Sequence, residues 1–193
     1  FRRKFPEGHA DYMGIETVGR TCMPERISEY GQAGGAWLLR EAARKFNYKW
    51  GVTSCLECNY RQDRLLGAER KARWYARDML LGHAYKFPHI CLSGIDSFGN
   101  SYNASFWGDT ALCDRNPLLY PRRSYVSVAT LTRILDRVEL LREVPTGSNS
   151  VYALEFARAD KKTVHAIWTG RGTADLRLTF PADAELELTD MYG

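Results

Sequence analysis

The chain has 193 residues and a mass of 22.0 kDa, with 45% hydrophobic and 26% charged residues. These are ordinary globular proportions, and they exclude disordered, collagen-like and disulfide-knot classes. The 27 basic and 23 acidic residues leave a net charge of +4; the short runs Arg2-Arg3-Lys4 and Lys161-Lys162 read as solvated faces rather than nucleic-acid contacts.

Taken in chain order, Asp11 to Glu16 reads as a short buried strand. A helix follows, running to about Phe46, with Leu39, Ala42, Ala43 and Phe46 at the spacing of one apolar stripe; Gly34-Gly35 weakens it locally or lets another backbone approach closely. Trp50 to Glu57 suits an interior strand. A polar loop from Cys58 to Gly67 then leads to a second helix with an apolar face of Ala72, Tyr75, Ala76, Met79 and Leu80, on which Trp74 is a packing residue. Phe87 to Ile95 predicts a third strand ending at Asp96. A long loop rich in Gly, Asn, Ser and Trp extends from about Ser97 to Pro121, a length usually tied to function or to small irregular elements. Ser124 is placed to cap a third helix that turns Val128, Leu131 and Leu135 inward. Beyond about Asp136 the pattern changes. Val151 to Phe156 and Thr163 to Trp168 alternate as strands, with a hairpin turn over Ala159 to Lys162, and Leu176 to Phe180 and Leu186 to Leu188 continue the alternation. The chain therefore reads as βα units over 1–137 followed by an antiparallel β module over 138–193.

No stretch approaches the roughly 18 apolar residues of a membrane span, so no membrane association is expected. The five cysteines are odd in number and widely spaced, which does not suit a disulfide framework. Cys55 and Cys58 form a C-x-x-C without a second ligand pair, and His9, His83, His89 and His165 lack ligand spacing, so no metal or other cofactor is expected. The chain opens on Phe1, with neither Met nor a signal-peptide pattern, which reads as a processed chain or a piece of a longer one.

Three predicted parallel strands end in carboxylates, Glu16, Glu57 and Asp96. In a parallel α/β sheet, ligands bind at the C-terminal strand ends, and paired carboxylates there can serve as acid and nucleophile on a glycosidic bond. The following loops carry Asn59 and Tyr60, then Asn103 and Trp107, a mixture of amides and aromatic faces suited to sugar hydroxyls and ring faces. The alternative for each acid is a loop cap or an Arg partner.

The segment from Trp50 to Glu57, followed by Glu69-Arg70-Lys71-Ala72-Arg73-Trp74-Tyr75, resembles the seventh strand and helix of a clan A glycoside hydrolase of the family 39-like branch. Glu57 stands at the position of that clan's nucleophile, with Leu56 where the clan usually has Thr. On this mapping Asp11 to Glu16 is similar to strand six, Phe87 to Asp96 to strand eight, Ser124 to Asp136 to helix eight, and Val151 to Gly193 to the accompanying β-sandwich. The resemblance implies the C-terminal βα units of a (β/α)8 TIM barrel plus part of a sandwich module, incomplete at both ends. It also implies a retaining hydrolase acting on an oligo- or polysaccharide, with Glu57 as nucleophile and the acid/base carboxylate upstream of Phe1. Glu16, Asn59, Tyr60, Asp96, Asn103 and Trp107 are then substrate contacts. The clan's His-x-Tyr after strand six is replaced by Ile15-Glu16-Thr17-Val18-Gly19. A non-catalytic carbohydrate-binding relative is the second expectation, with Glu16 and Glu57 as a working pair a variant of the first. The third is an interaction module that uses the β tail. A barrel lacking strands would expose sheet edges, so association is expected unless an N-terminal segment or a second chain completes it.

Overall fold

The computed structural model describes residues 13–17, 25, 35–45, 52–56, 60–92, 95, 111–114 and 119–193, with only the backbone of 13–17, 52–56 and 60–67. Strands β1 (Met13–Thr17), β2 (Val52–Leu56) and β3 (His89–Leu92) form a parallel sheet in that order. Helix α1 (Gly35–Lys45) connects the first pair in sequence and α2 (Tyr60–Ala84) the second. Parallel neighbours need such crossovers, because a tight turn can only reverse the chain. The first strand lies slightly later than its predicted span, so Glu16 is its penultimate residue. The third is shorter than predicted: it ends at Leu92, and Ile95 lies beyond it, largely exposed.

Helix α1 buries Ala36, Leu39 and Ala43 in one stripe and packs on β1 and β2. Gly35 is its first residue, a terminal position where glycine interrupts no interior hydrogen bond. Phe46 lies outside the described residues.

Helix α2 starts seven residues before the predicted Gly67 boundary. Arg61-Gln62-Asp63-Arg64-Leu65-Leu66 was read as a polar loop, yet these are mostly good helix formers, and polarity alone does not make a loop. The predicted apolar face is buried. From Lys71 to Gly82 every residue except Arg73 is buried, so the enclosure extends to Trp74, Lys71, Arg77 and Asp78. A helix covered by one layer buries a single stripe; α2 is covered by β3, by α3 (Arg123–Ile134) and by β6 (Glu139–Glu143). Its C-terminus is closed by Lys86 N–H donating to His83 O at 3.1 Å and Phe87 N–H donating to Gly82 O at 2.9 Å, with Lys86 at φ 56°. This is the left-handed helix stop, usually made with glycine, and Pro88 prevents any continuation.

The segment before α3 contains a short antiparallel pair, β4 (Cys113–Asp114) and β5 (Tyr120–Pro121), inside what was read as loop. Ser124 does not cap α3. Arg122 is the N-cap residue without a side-chain cap bond, and Ser124 is buried within the first turn with its hydroxyl unpaired. The inward face predicted for this helix holds for Leu131 and Leu135, which are buried, while Val128 is half-buried.

The C-terminal sheet has the order β6-β7-β8, all antiparallel. Strands β7 (Val151–Ala157) and β8 (Thr163–Thr169) form the predicted hairpin, its turn closed by Arg158 N–H to Lys162 O at 2.9 Å. Strand β6 was not predicted. Tyr152 and Trp168 face each other in register and stack with ring centroids 5.3 Å apart. Leu154 and Phe156 point from β7 into a cluster with Ala76, Met79, Leu80, Leu81, Leu131 and Leu135, so one apolar core spans α2, α3 and the sheet and crosses position 137. Full burial of a side chain such as Phe156 is worth about 2–3 kcal/mol. The segments Leu176 to Phe180 and Leu186 to Leu188, which continue the alternation in sequence, form no strand pairing among the described residues.

Candidate functional site

Thr17 pairs with Leu56 and Leu56 with Leu92, so the last described residues of the three strands stand in one register row. The row before it aligns Glu16, Cys55 and Cys91, with Cys91 exposed. Glu16 is thus brought into the sheet beside β2, one residue short of its end. Tyr60 is the first residue of α2 rather than part of a loop. Glu57, Asn59, Asp96, Asn103 and Trp107 lie outside the described residues.

The flanks of the segment that carries Asp96, Asn103 and Trp107 are joined to each other. Cys113 N–H donates to Ile95 O at 2.7 Å, and Arg122 N–H donates to Leu112 O at 3.0 Å. The Arg122 guanidinium donates through Nε and Nη2 to Asp114 Oδ1, at 2.9 and 2.6 Å, and through Nη1 to Ala111 O at 3.3 Å. This forked grip on one carboxylate and one carbonyl fixes the return of the chain toward α3. Leu112 and Cys113 pack beneath it against Trp74 and Tyr75 of α2.

A second charged group sits where α2, α3 and the C-terminal residues meet. Glu69 accepts from Tyr192 Oη at 2.5 Å and from Arg123 Nη1 at 2.6 Å on Oε2, and from Arg73 Nε at 3.2 Å on Oε1. Hydrogen bonding from Tyr192, with help from the two arginines and against some desolvation, holds the Glu69 carboxyl below its ordinary range. Burial, together with the charge on Glu69, raises the Tyr192 phenol to about 12. A carboxylate held ionised by three donors is a poor proton donor, so this group acts as a clamp.

The solvent face of the C-terminal sheet carries a third group. Arg142, Glu155 and His165 are neighbours across β6, β7 and β8. Arg142 donates twice to Glu155 Oε2, at 3.0 and 2.8 Å, and His165 Nδ1 lies 3.9 Å from the same oxygen. The Phe180 ring meets His165 edge-on, and a cavity of about 220 Å³ lies between this row and residues 177–180. His83 is half-buried on α2, and desolvation lowers its pKa, favouring the neutral ring.

Sequence reasoning missed Glu25, which is wholly buried, ion-paired with Arg77 Nε at 3.1 Å and hydrogen-bonded by the Trp168 indole N–H at 3.0 Å. No local pattern relates three residues so far apart. The spacing of Glu69 and Arg73, at i and i+4, was a readable signal. No group of three or more potential metal ligands occurs among the described residues, and no described helix is long and apolar enough to cross a membrane. No family model, no curated protein and no solved structure matches this chain.

Proposed function

We propose that the chain is part of a retaining glycoside hydrolase, with Glu57 as its nucleophile. The observation that carries this reading is that Glu57 directly follows Leu56 of β2, the central strand of a parallel sheet in which Thr17, Leu56 and Leu92 share one register row. Successive parallel strands in chain order, joined by helices, are how a (β/α)8 barrel progresses, and the residues just past the strand ends form its reaction mouth.

In this reading the Glu57 carboxylate attacks the anomeric carbon while an acid/base carboxylate encoded upstream of Phe1 protonates the leaving oxygen. The bond from carbon to the leaving oxygen breaks as the glycosyl ester forms. Water, deprotonated by the same upstream group, then releases the sugar with its configuration retained. Glu16, Asn59, Tyr60, Asp96, Asn103 and Trp107 serve as substrate contacts. The Leu at position 56 favours a second reading, a carbohydrate-binding relative without turnover.

The test is to incubate the full-length protein with 2-deoxy-2-fluoro glycosides carrying activated leaving groups, then map the labelled peptide by mass spectrometry. A label on Glu57, absent from Glu57→Gln, is expected. A label on another carboxylate overturns the assignment, and saturable oligosaccharide binding with no hydrolysis selects the second reading.

A further inference from the structure

The segment from Thr173 to Thr189 has no regular secondary structure and, apart from one turn, makes no backbone–backbone hydrogen bond among the described residues. It carries four of the exposed large hydrophobic side chains, Leu176, Leu178, Leu186 and Leu188, the last fully exposed. The segment is nevertheless held at Phe180, which packs against His165, and just beyond its C-terminal end, where Tyr192 bonds Glu69. Unpaired backbone beside alternating leucines is a template for strand pairing.

A tight hairpin extended from the turn present here does not satisfy this pattern. Ala184 N–H donates to Pro181 O at 3.1 Å, so the turn spans 181–184. Extending a hairpin from that turn sets Leu178 opposite Glu187 and Arg177 opposite Leu188. That register is one residue out of phase, and a one-residue slip puts every side chain on the wrong face. The register that matches the side chains sets Leu176 opposite Leu188, Arg177 opposite Glu187, and Leu178 opposite Leu186. Neither Arg177 nor Glu187 has an ion-pair partner among the described residues.

We propose that a second copy of this chain supplies the matching strand. Residues 175–180 of each copy run antiparallel to 185–189 of the other, giving two ribbons related by a two-fold axis, with the leucine faces of the ribbons meeting between them. Such an interface is isologous and closes as a dimer. Each ribbon contains one Arg177–Glu187 pair between copies, the opposite-charge pairing that stabilises neighbouring antiparallel strands. This inference does not rest on the glycosidase reading.

Sedimentation equilibrium of the 193-residue chain, from low to high micromolar, is expected to show a monomer–dimer equilibrium. Arg177→Glu and Glu187→Arg each place like charges in both ribbons, and each weakens the dimer by about tenfold or more. Mixing the two variants restores association, because in the mixed dimer every position 177 again faces an opposite charge at 187. A wild-type chain that stays monomeric overturns the proposal. So does a dimer indifferent to both reversals, and so does a mixture no tighter than its components, since an intramolecular pair cannot be rescued by mixing. Leu188→Asp, at a fully exposed position where folding is not at stake, is expected to abolish the dimer; an unchanged dimer also refutes it.

Discussion

Arg77 Nε lies 3.1 Å from Glu25 Oε1, and the Glu25 carboxylate is wholly buried. The Trp168 indole donates to the same oxygen, so one acid joins an early segment to α2 and to the last strand of the C-terminal sheet. Removing one partner of a buried ion pair strands the other charge away from water. Arg77→Met is therefore expected to lower unfolding stability by about 3 kcal/mol in denaturant titration. Adding Glu25→Gln should recover part of that loss, because the remaining group is then neutral. A single variant as stable as the wild type would refute this role for the pair.

The clamp on Glu69 predicts two pH limbs of opposite sign. The Glu69 carboxyl is held below its ordinary value of 4.5, first by Tyr192. Its contribution to stability is present above that value and is lost as pH falls through the lowered folded value. Tyr192 is raised from 10.0 to about 12, so its contribution is full below 10 and is lost as pH rises toward 12. Tyr192→Phe should raise the Glu69 pKa and remove the Tyr192 share of the alkaline limb, leaving the share of Tyr85, whose phenol is also raised by burial. Carbon-detected titration of the Glu69 carboxyl, with melting curves against pH, reads both. The Glu69 side chain is 36% exposed, so the change in melting temperature will be modest.

Gly82 is where α2 touches β3. A methyl group built on it would lie 2.3 Å from Ile90 Cδ1 and 2.7 Å from Ile90 Cγ1. Alanine is the better helix former by about 1 kcal/mol, but overpacking a helix–sheet contact costs about 1–3 kcal/mol. Gly82→Ala is expected to destabilise the wild type and to become neutral or stabilising in an Ile90→Ala background. A double-mutant cycle without coupling between the two sites would contradict the contact.

Ser124 separates two accounts of how α3 begins. A cap role predicts a loss of about 1 kcal/mol in Ser124→Ala. The structure instead buries an unpaired hydroxyl inside the first turn, and removing such a group is neutral or favourable. Ser124→Ala is therefore expected to match or exceed wild-type stability in thermal and urea unfolding.

Patterns confined to one element were legible in the sequence. The Leu39 and Ala43 stripe of α1, the apolar face of α2 and the β7–β8 hairpin follow from local periodicity and a turn signal. Strand β6 was not visible because Glu139-Leu140-Leu141-Arg142-Glu143 has no clean alternation; its pairing with β7 passes through a register shift between Leu140 and Arg142. Hydrophobicity alone does not reveal the start of α2, because polar residues with high helix propensity pattern like a loop. Of the candidate site, the sheet register aligns Glu16 with Cys55 and ends β2 at Leu56.

By itself the sequence determined the alternation of strands and helices, the terminal hairpin and the succession of acids near predicted strand ends, because each depends on neighbours within a few residues. Only the tertiary structure decided that Thr17, Leu56 and Leu92 of three parallel strands share one register row, that α2 is enclosed on nearly every side, and that Glu25 meets Arg77 and Trp168. It also decided that the tail turns at 181–184. These are relations between distant segments, fixed by packing and register, and no local periodicity encodes them.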